Sequence, residues 1–217
     1  YHPRIKQIRK QCQQLTSGNI AIGSFIPELY DTPANAISYG ATNLPDSPQL
    51  PQRDTKKILY LGRLEPDNGI LPLLQAADSS AFHTHIFGNG SLTTAIPDSL
   101  NITHAPPTQY PHKLYPQYPI VFASGYLSIL EALAHQRIVI AYASCPARTL
   151  YLETHPCARQ LLICKSPQEV TDALELISSD FDSILERFQP AWSWATEQTW
   201  SKLANLYLNL WSPIKNH

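Results

Sequence analysis

The chain has 217 residues, 43% hydrophobic and 15% charged, which is a globular composition and excludes an intrinsically disordered segment. Sixteen Lys and Arg against seventeen Asp and Glu leave a net charge of −1, with the signs interspersed, which excludes a nucleic-acid footprint or a polybasic membrane patch. No apolar run has the length of a membrane span and no signal peptide opens the sequence, so the expected location is cytoplasmic, with peripheral membrane association left open.

Cys12, Cys145, Cys157 and Cys164 have no paired metal-ligand spacing and read as reduced structural thiols. The eight histidines are scattered without ligand spacing, so no metal is expected. Methionine is absent, so residue 1 is not a translation start and the sequence reads as part of a longer or processed chain.

In chain order, residues 4–14 are compatible with a helix, 19–25 with a strand and 37–39 with a second short strand. Residues 41–55 are rich in turn formers and prolines and read as a linker at a domain boundary. Beyond it, strands are predicted at 57–62, 83–87, 101–104, 119–123, 137–142 and 160–164. Helices are predicted at 70–77, 127–135, 148–154, 167–178, 182–188 and 199–211. The strands are near-continuous apolar runs, the pattern of strands buried on both faces. Alternation at this spacing predicts a parallel α/β sheet, Rossmann-like, with helices on both faces. In such sheets ligands bind beyond the carboxyl ends of the strands, where the glycine turns of this chain fall.

Three segments carry candidate chemistry. In Gly62-Arg63-Leu64-Glu65-Pro66-Asp67-Asn68-Gly69-Ile70 a buried strand ends at a glycine and an arginine follows. Arginine there suits a phosphate; a plain βα turn with a solvated arginine fits equally well. Gly88-Asn89-Gly90 follows the next strand, and a lone GxG is by itself a turn. In the third, Phe122-Ala123-Ser124-Gly125 leads into a helix through Tyr126, Leu127 and Ser128, whose first-turn amides form an anion site. Glu131 lies one turn further in, placed either to accept from ribose hydroxyls or simply to face solvent. No GxGxxG follows the first strand of the sheet, which disfavours a nicotinamide dehydrogenase.

Together these segments resemble the glycosyl transferases group 1 family. GRLEPDNGI, IFGNG and FASGYLSILEALAHQRIVIAY are similar to its donor-site motifs. GSFIPELYDTPANAISYGAT resembles the passage into its second domain, and TWSKLANLYLNLW its closing helix. The resemblance runs in order from about Ile20 to Trp211.

The resemblance implies the carboxy-terminal half of a GT-B fold, binding a nucleotide-sugar and transferring its sugar with retention, without cofactor or metal. The donor would be a UDP- or GDP-sugar; the acceptor is unspecified, one held at a membrane included. It implies an amino-terminal domain, missing here, of which residues 1–40 would be a remnant. Residues 41–55 would be the linker, 56–196 the nucleotide-sugar-binding domain, and 197–217 a closing helix packed back toward the first domain. Arg63 and Glu131 would be catalytic, Arg63 on the diphosphate and Glu131 on the ribose. Gly62, Asn68, Gly88, Gly90, Gly125, Tyr126, Leu127 and Ser128 would complete the donor site, with the amides of residues 126–128 facing phosphate or sugar.

Two positions depart from the family pattern. Its diphosphate-binding lysine falls at Asn68, and the first glutamate of its paired motif falls at Ala123. Both changes thin the donor contacts, which puts the activity of the chain in doubt. The alternative is therefore a catalytically impaired homologue that binds a nucleotide-sugar or serves as a partner subunit.

Overall fold

The computed structural model describes residues 3–78 and 80–211. An amino-terminal segment carries helix α1 (Pro3–Leu15), strand β1 (Ile20–Ile22), helix α2 (Phe25–Tyr30) and strand β2 (Ala36–Ser38). Its two strands pair in parallel and apart from the main sheet. Exposed Ile5, Ile8, Leu15 and Ile22 show that this segment builds little core of its own.

The main body follows as β3 (Lys57–Leu61), α3 (Ile70–Asp78), β4 (His83–Phe87), β5 (Ile102–Ala105), β6 (Ile120–Phe122), α4 (Tyr126–Ala134), β7 (Ile138–Tyr142), α5 (Pro146–Glu153) and β8 (Leu162–Cys164). Helices α6 (Pro167–Ser179), α7 (Phe181–Thr196) and α8 (Trp200–Trp211) close the described chain. The predicted parallel sheet is present as six strands in the order β5-β4-β3-β6-β7-β8, all parallel. Helix α3 packs with α6 and α4 with α7, so helices cover both faces. The apolar strands are apolar for that reason: Ile58, Leu59, Ile120, Val121, Ile138, Val139 and Ile140 are buried.

The chain builds outward from β3 to β5, returns to lay β6 beside β3, and builds outward again. The order reverses between β3 and β6. The two strand ends there diverge into loops on opposite sides and leave a crevice.

Some predicted elements shift. The 19–25 strand stops at Ile22, because Gly23 takes φ +85 and turns the chain into the unforeseen helix α2. A side chain at Gly23 would also meet the Tyr126 ring, with the nearest carbon at 2.3 Å. Helix α7 extends past the predicted 182–188 and through Pro190. Its reward is Trp192, which is buried and donates Nε1 to the Arg137 carbonyl at 3.1 Å. Trp194 packs partly against the core, and Trp200 is 58% exposed.

Arg137 is the largest fully buried side chain. Among the described residues it pairs with no carboxylate; its guanidinium donates to the carbonyls of His135, Tyr118 and Gln49. Backbone carbonyls thus satisfy a buried cation, and the Gln49 contact fastens the 41–55 segment to the sheet. Burial lowers its pKa to about 10, which still leaves it charged near neutrality.

The cysteines are free, and burial pushes Cys157 and Cys164 up to about 12, so both stay thiols. Among the described residues no helix is long and apolar enough to cross a membrane, and no group of His, Cys, Asp or Glu could hold a metal ion.

Two buried histidines make stability pH-dependent. Burial lowers His135 and His155 to about 4, and His155 Nδ1 accepts from the Cys157 amide, which requires the neutral ring. The unfolded chain takes up these protons near 6.5 while the fold refuses them until about pH 4. Stability should therefore be full above pH 6.5 and fall as pH drops toward 4, by up to about 3 kcal/mol per histidine. Denaturant melts across pH 7 to 4 should show this slope, and His155→Gln should roughly halve it, leaving the His135 contribution.

Candidate functional site

A cavity of about 650 Å³ occupies the reversal point of the sheet. Tyr60, Leu61, Gly62 and Arg63 from the end of β3 form one wall, with Asn68 beyond them. Phe122, Ala123, Ser124 and Gly125 from the end of β6 form another and lead into Tyr126, Leu127, Ser128 and Glu131 of α4. Phe25, Ile26, Gly40 and Tyr151 close the sides. The two distant segments singled out by sequence, around Arg63 and around Glu131, thus meet in one crevice.

The Arg63 turn is held by its backbone. The Arg63 carbonyl accepts from the Tyr60 hydroxyl at 2.7 Å and from Asn68 Nδ2 at 3.1 Å. Its side chain is exposed and makes no ion pair among the described residues. Gly69 follows in a left-handed conformation, φ +76, against Tyr142.

Gly88 and Gly90 were expected against the ligand, but neither lines the cavity. They lie against the Arg63 turn itself. A Cβ on Gly88 would stand 1.9 Å from the Gly62 carbonyl oxygen, and one on Gly90 2.4 Å from that of Leu64. Reciprocal bonds close the contact: Gly62 N–H to Phe87, Leu64 N–H to Asn89 and Leu92 N–H to Leu64. The glycine pair is a brace that fixes where Arg63 stands.

Helix α4 begins after Gly125 without a side-chain cap. The Tyr126 amide, expected to face phosphate, instead donates to the Tyr151 hydroxyl. Tyr126 itself is buried, stacked on Tyr151 with centroids 3.8 Å apart, and donates its own hydroxyl to the Tyr151 carbonyl at 2.7 Å. Leu127 and Ser128 follow in the first turn, where no intrahelical acceptor exists for their amides. Those two are the amides that the helix end offers to an anion.

Glu131 is half-buried and accepts from the Tyr115 hydroxyl at 2.9 Å. Burial first, then the Glu131 charge, push the Tyr115 hydroxyl above its ordinary pKa, so it remains a donor. A second cavity of about 620 Å³ opens on the other side of Glu131, between the 41–49 segment and Gln109, His112, Tyr115, His135 and Trp200. Glu131 therefore stands at the junction of two cavities.

Ala123 follows β6 directly, its amide donating to the Ile140 carbonyl at 2.9 Å, and is buried. A glutamate there would project from a strand end rather than from a loop. Sequence reasoning gave no part to Tyr60, Tyr115 or Tyr151; Tyr115 and Tyr151 act on partners 16 and 25 residues away, and Tyr60 on the carbonyl three residues on.

No family model and no curated protein matches the chain. Solved structures do. A mutant TarM from S. aureus, in complex with fondaparinux, α-GlcNAc-glycerol and UDP, superposes with a TM-score of 0.73 at 17% identity over 97% of this chain and 46% of that one. HepE from Anabaena, in complex with UDP and glucose, gives 0.71 at 13% identity over 92% of this chain and 64% of that one. A glycosyltransferase from Rickettsia africae gives 0.66 at 13% identity over 100% of this chain and 69% of that one. The main sheet has the fold of the carboxy-terminal, Rossmann-like domain of GT-B glycosyltransferases. The chain spans about half the length of TarM and under two thirds of HepE.

The glycines of the site separate by role. Gly88→Ala must displace backbone and should destabilise the protein by about 1–3 kcal/mol or more. At Gly125 an added Cβ meets only Ser128 Oγ at 3.4 Å, so Gly125→Ala should fold with near-normal stability. Thermal melts of the two variants check this; equal stability would mean that Gly88 is no brace.

Proposed function

We propose that this chain is the donor-binding half of a GT-B glycosyltransferase that transfers sugar from a UDP- or GDP-sugar, with retention, to an acceptor held mainly by another domain. The observation that carries the reading is the cavity at the sheet reversal, where Arg63, the α4 amino terminus and Glu131 converge. Arg63 pairs with the diphosphate, and the Leu127 and Ser128 amides supply neutral donors beside it. Glu131, steadied by Tyr115, accepts from the ribose, and the base extends toward the second cavity. Fixed donors of this kind stabilise a departing nucleoside diphosphate without a metal. Similarity to folds solved with UDP supports a uridine nucleotide as the first to test.

In this reading residues 1–40 belong to the acceptor-side domain. Leu210 of helix α8 lies beside Gly18, where an added Cβ would stand 2.7 Å from its Cδ1, which supports α8 as the closing helix. The enzyme works in the cytoplasm, at a membrane surface if its acceptor is lipid-linked.

A second reading, an impaired homologue that only binds nucleotide-sugar, is favoured by specific contacts. Asn68 is neutral and spends its amide on the Arg63 carbonyl, Ala123 offers no carboxylate, and the Tyr126 amide is taken. Positioning of the acceptor supplies much of a transferase's rate. The chain alone should therefore bind weakly and not transfer.

Titration calorimetry with UDP, GDP and their hexose conjugates tests this. At least one nucleoside diphosphate should bind, and Arg63→Gln and Glu131→Gln should each weaken it, Arg63→Gln by about tenfold or more. Radiolabelled donors should give no transfer product with the isolated chain. Absence of binding to every nucleotide tried would refute the donor-site reading, and robust transfer would refute the dependence on a second domain. Asn68→Lys should strengthen diphosphate binding if the site has lost a cation. Ala123→Glu should fail to help, because it buries a carboxylate at a strand end.

A further inference from the structure

Arg148 belongs to none of the motifs and does not itself line the cavity, but it contacts two of the wall residues. It lies in the first half of α5, and its side chain is only 20% exposed. Nη1 donates to the Ser124 carbonyl at 3.1 Å, and Ser124 is part of the cavity wall. Nη2 stands 3.5 Å from Asp67 Oδ2, on the residue preceding Asn68. The guanidinium also covers the ring of Tyr151, another wall residue, at 5.1 Å. A single cation thus touches the β6 turn, the β3 turn and the aromatic side of one cavity.

Its partner holds it loosely. Asp67 is 58% exposed and makes one contact at the long end of ion-pair range. Such a pair contributes little, whereas a diphosphate brings more charge and a geometry that a guanidinium fork can grip on two oxygens. The Ser144 hydroxyl donates to the Asp67 carbonyl at 3.0 Å, which holds the backbone at Asp67 independently of the carboxylate contact to Arg148.

We propose that Arg148 is the second diphosphate-binding cation of this site, held on Asp67 in the empty protein and transferred to the ligand on binding. It takes the part that a lysine at position 68 would otherwise play. The inference rests on the reading of the cavity as a diphosphate site.

Calorimetry of the 217-residue chain with UDP, inorganic pyrophosphate and uridine tests it. Arg148→Gln should weaken UDP and pyrophosphate by about tenfold and leave uridine unchanged, and should lower the salt dependence of UDP binding. Asp67→Asn should strengthen UDP severalfold, since it removes the competitor. Asn68→Lys should restore UDP binding to Arg148→Gln. Unchanged UDP affinity in Arg148→Gln, or equal loss of UDP and uridine, would overturn the proposal and make Arg148 a structural tie. If Arg148→Gln fails to fold, Asp67→Asn decides alone, and unchanged or weaker UDP binding overturns the proposal. Failure of the unaltered chain to bind UDP or pyrophosphate would sink the donor-site reading as well; normal binding with indifferent variants would sink only the role of Arg148.

Discussion

The carbonyl of Gly62 and the α-carbon of Gly88 meet so closely that no side chain fits between them. Around that contact, Gly62, Leu64 and Leu92 exchange backbone hydrogen bonds with Phe87, Asn89 and Leu64. The turn after β3 is thereby locked to the turn after β4, one strand away from the crevice. Arg63 is carried on the locked turn, so the direction of the cation is a consequence of backbone packing rather than of its own contacts. The second anchor is the Arg63 carbonyl, which Tyr60 and Asn68 both engage. A binding residue on a rigid turn loses less entropy when it closes on a ligand, and that is what an exposed arginine at a strand end otherwise lacks.

The opposite wall is built differently. Tyr126 and Tyr151 are stacked and doubly hydrogen-bonded, Phe25 packs edge-on to both, and Tyr39 joins from β2's side. This aromatic block ties the amino-terminal segment to α4 and α5. Its cost to the site is one helix amide, since Tyr126 N–H ends on the Tyr151 hydroxyl instead of facing the cavity. The same block stiffens the start of α4, so the two remaining amides, of Leu127 and Ser128, are fixed in place. The site exchanges one donor for rigidity.

The sheet was legible because its information is local. Apolar runs such as Lys57–Leu61 and Ile138–Tyr142 name themselves as doubly buried strands, and the spacing between them requires crossovers. The convergence of Arg63 with Glu131 was also within reach, since strand order places their turns side by side. What could not be read depends on partners remote in sequence. Gly88 and Gly90 look like ligand-facing glycines until the Leu64 and Gly62 backbones appear beneath them. The end of β1 depends on Gly23 lying over Tyr126, a hundred residues away in sequence to within a few positions. Helix α7 crosses Pro190 because Trp192 is anchored on Arg137, a preference that outweighs the local penalty.

The departures from the family pattern take on a different meaning once the geometry is known. Asn68 is not an empty position, because its amide braces the carbonyl of the residue that carries the site's charge. Ala123 sits directly after β6 and is buried, with its amide still bonded to the Ile140 carbonyl. Both substitutions remove charge and add fixation, and the Tyr126 amide follows the same rule. If the cavity is the donor site proposed above, an alteration in this direction keeps its shape while its electrostatic pull declines. On that proposal its ligand affinity would depend heavily on the remaining cations, Arg63 on one turn and Arg148 against two of the wall residues.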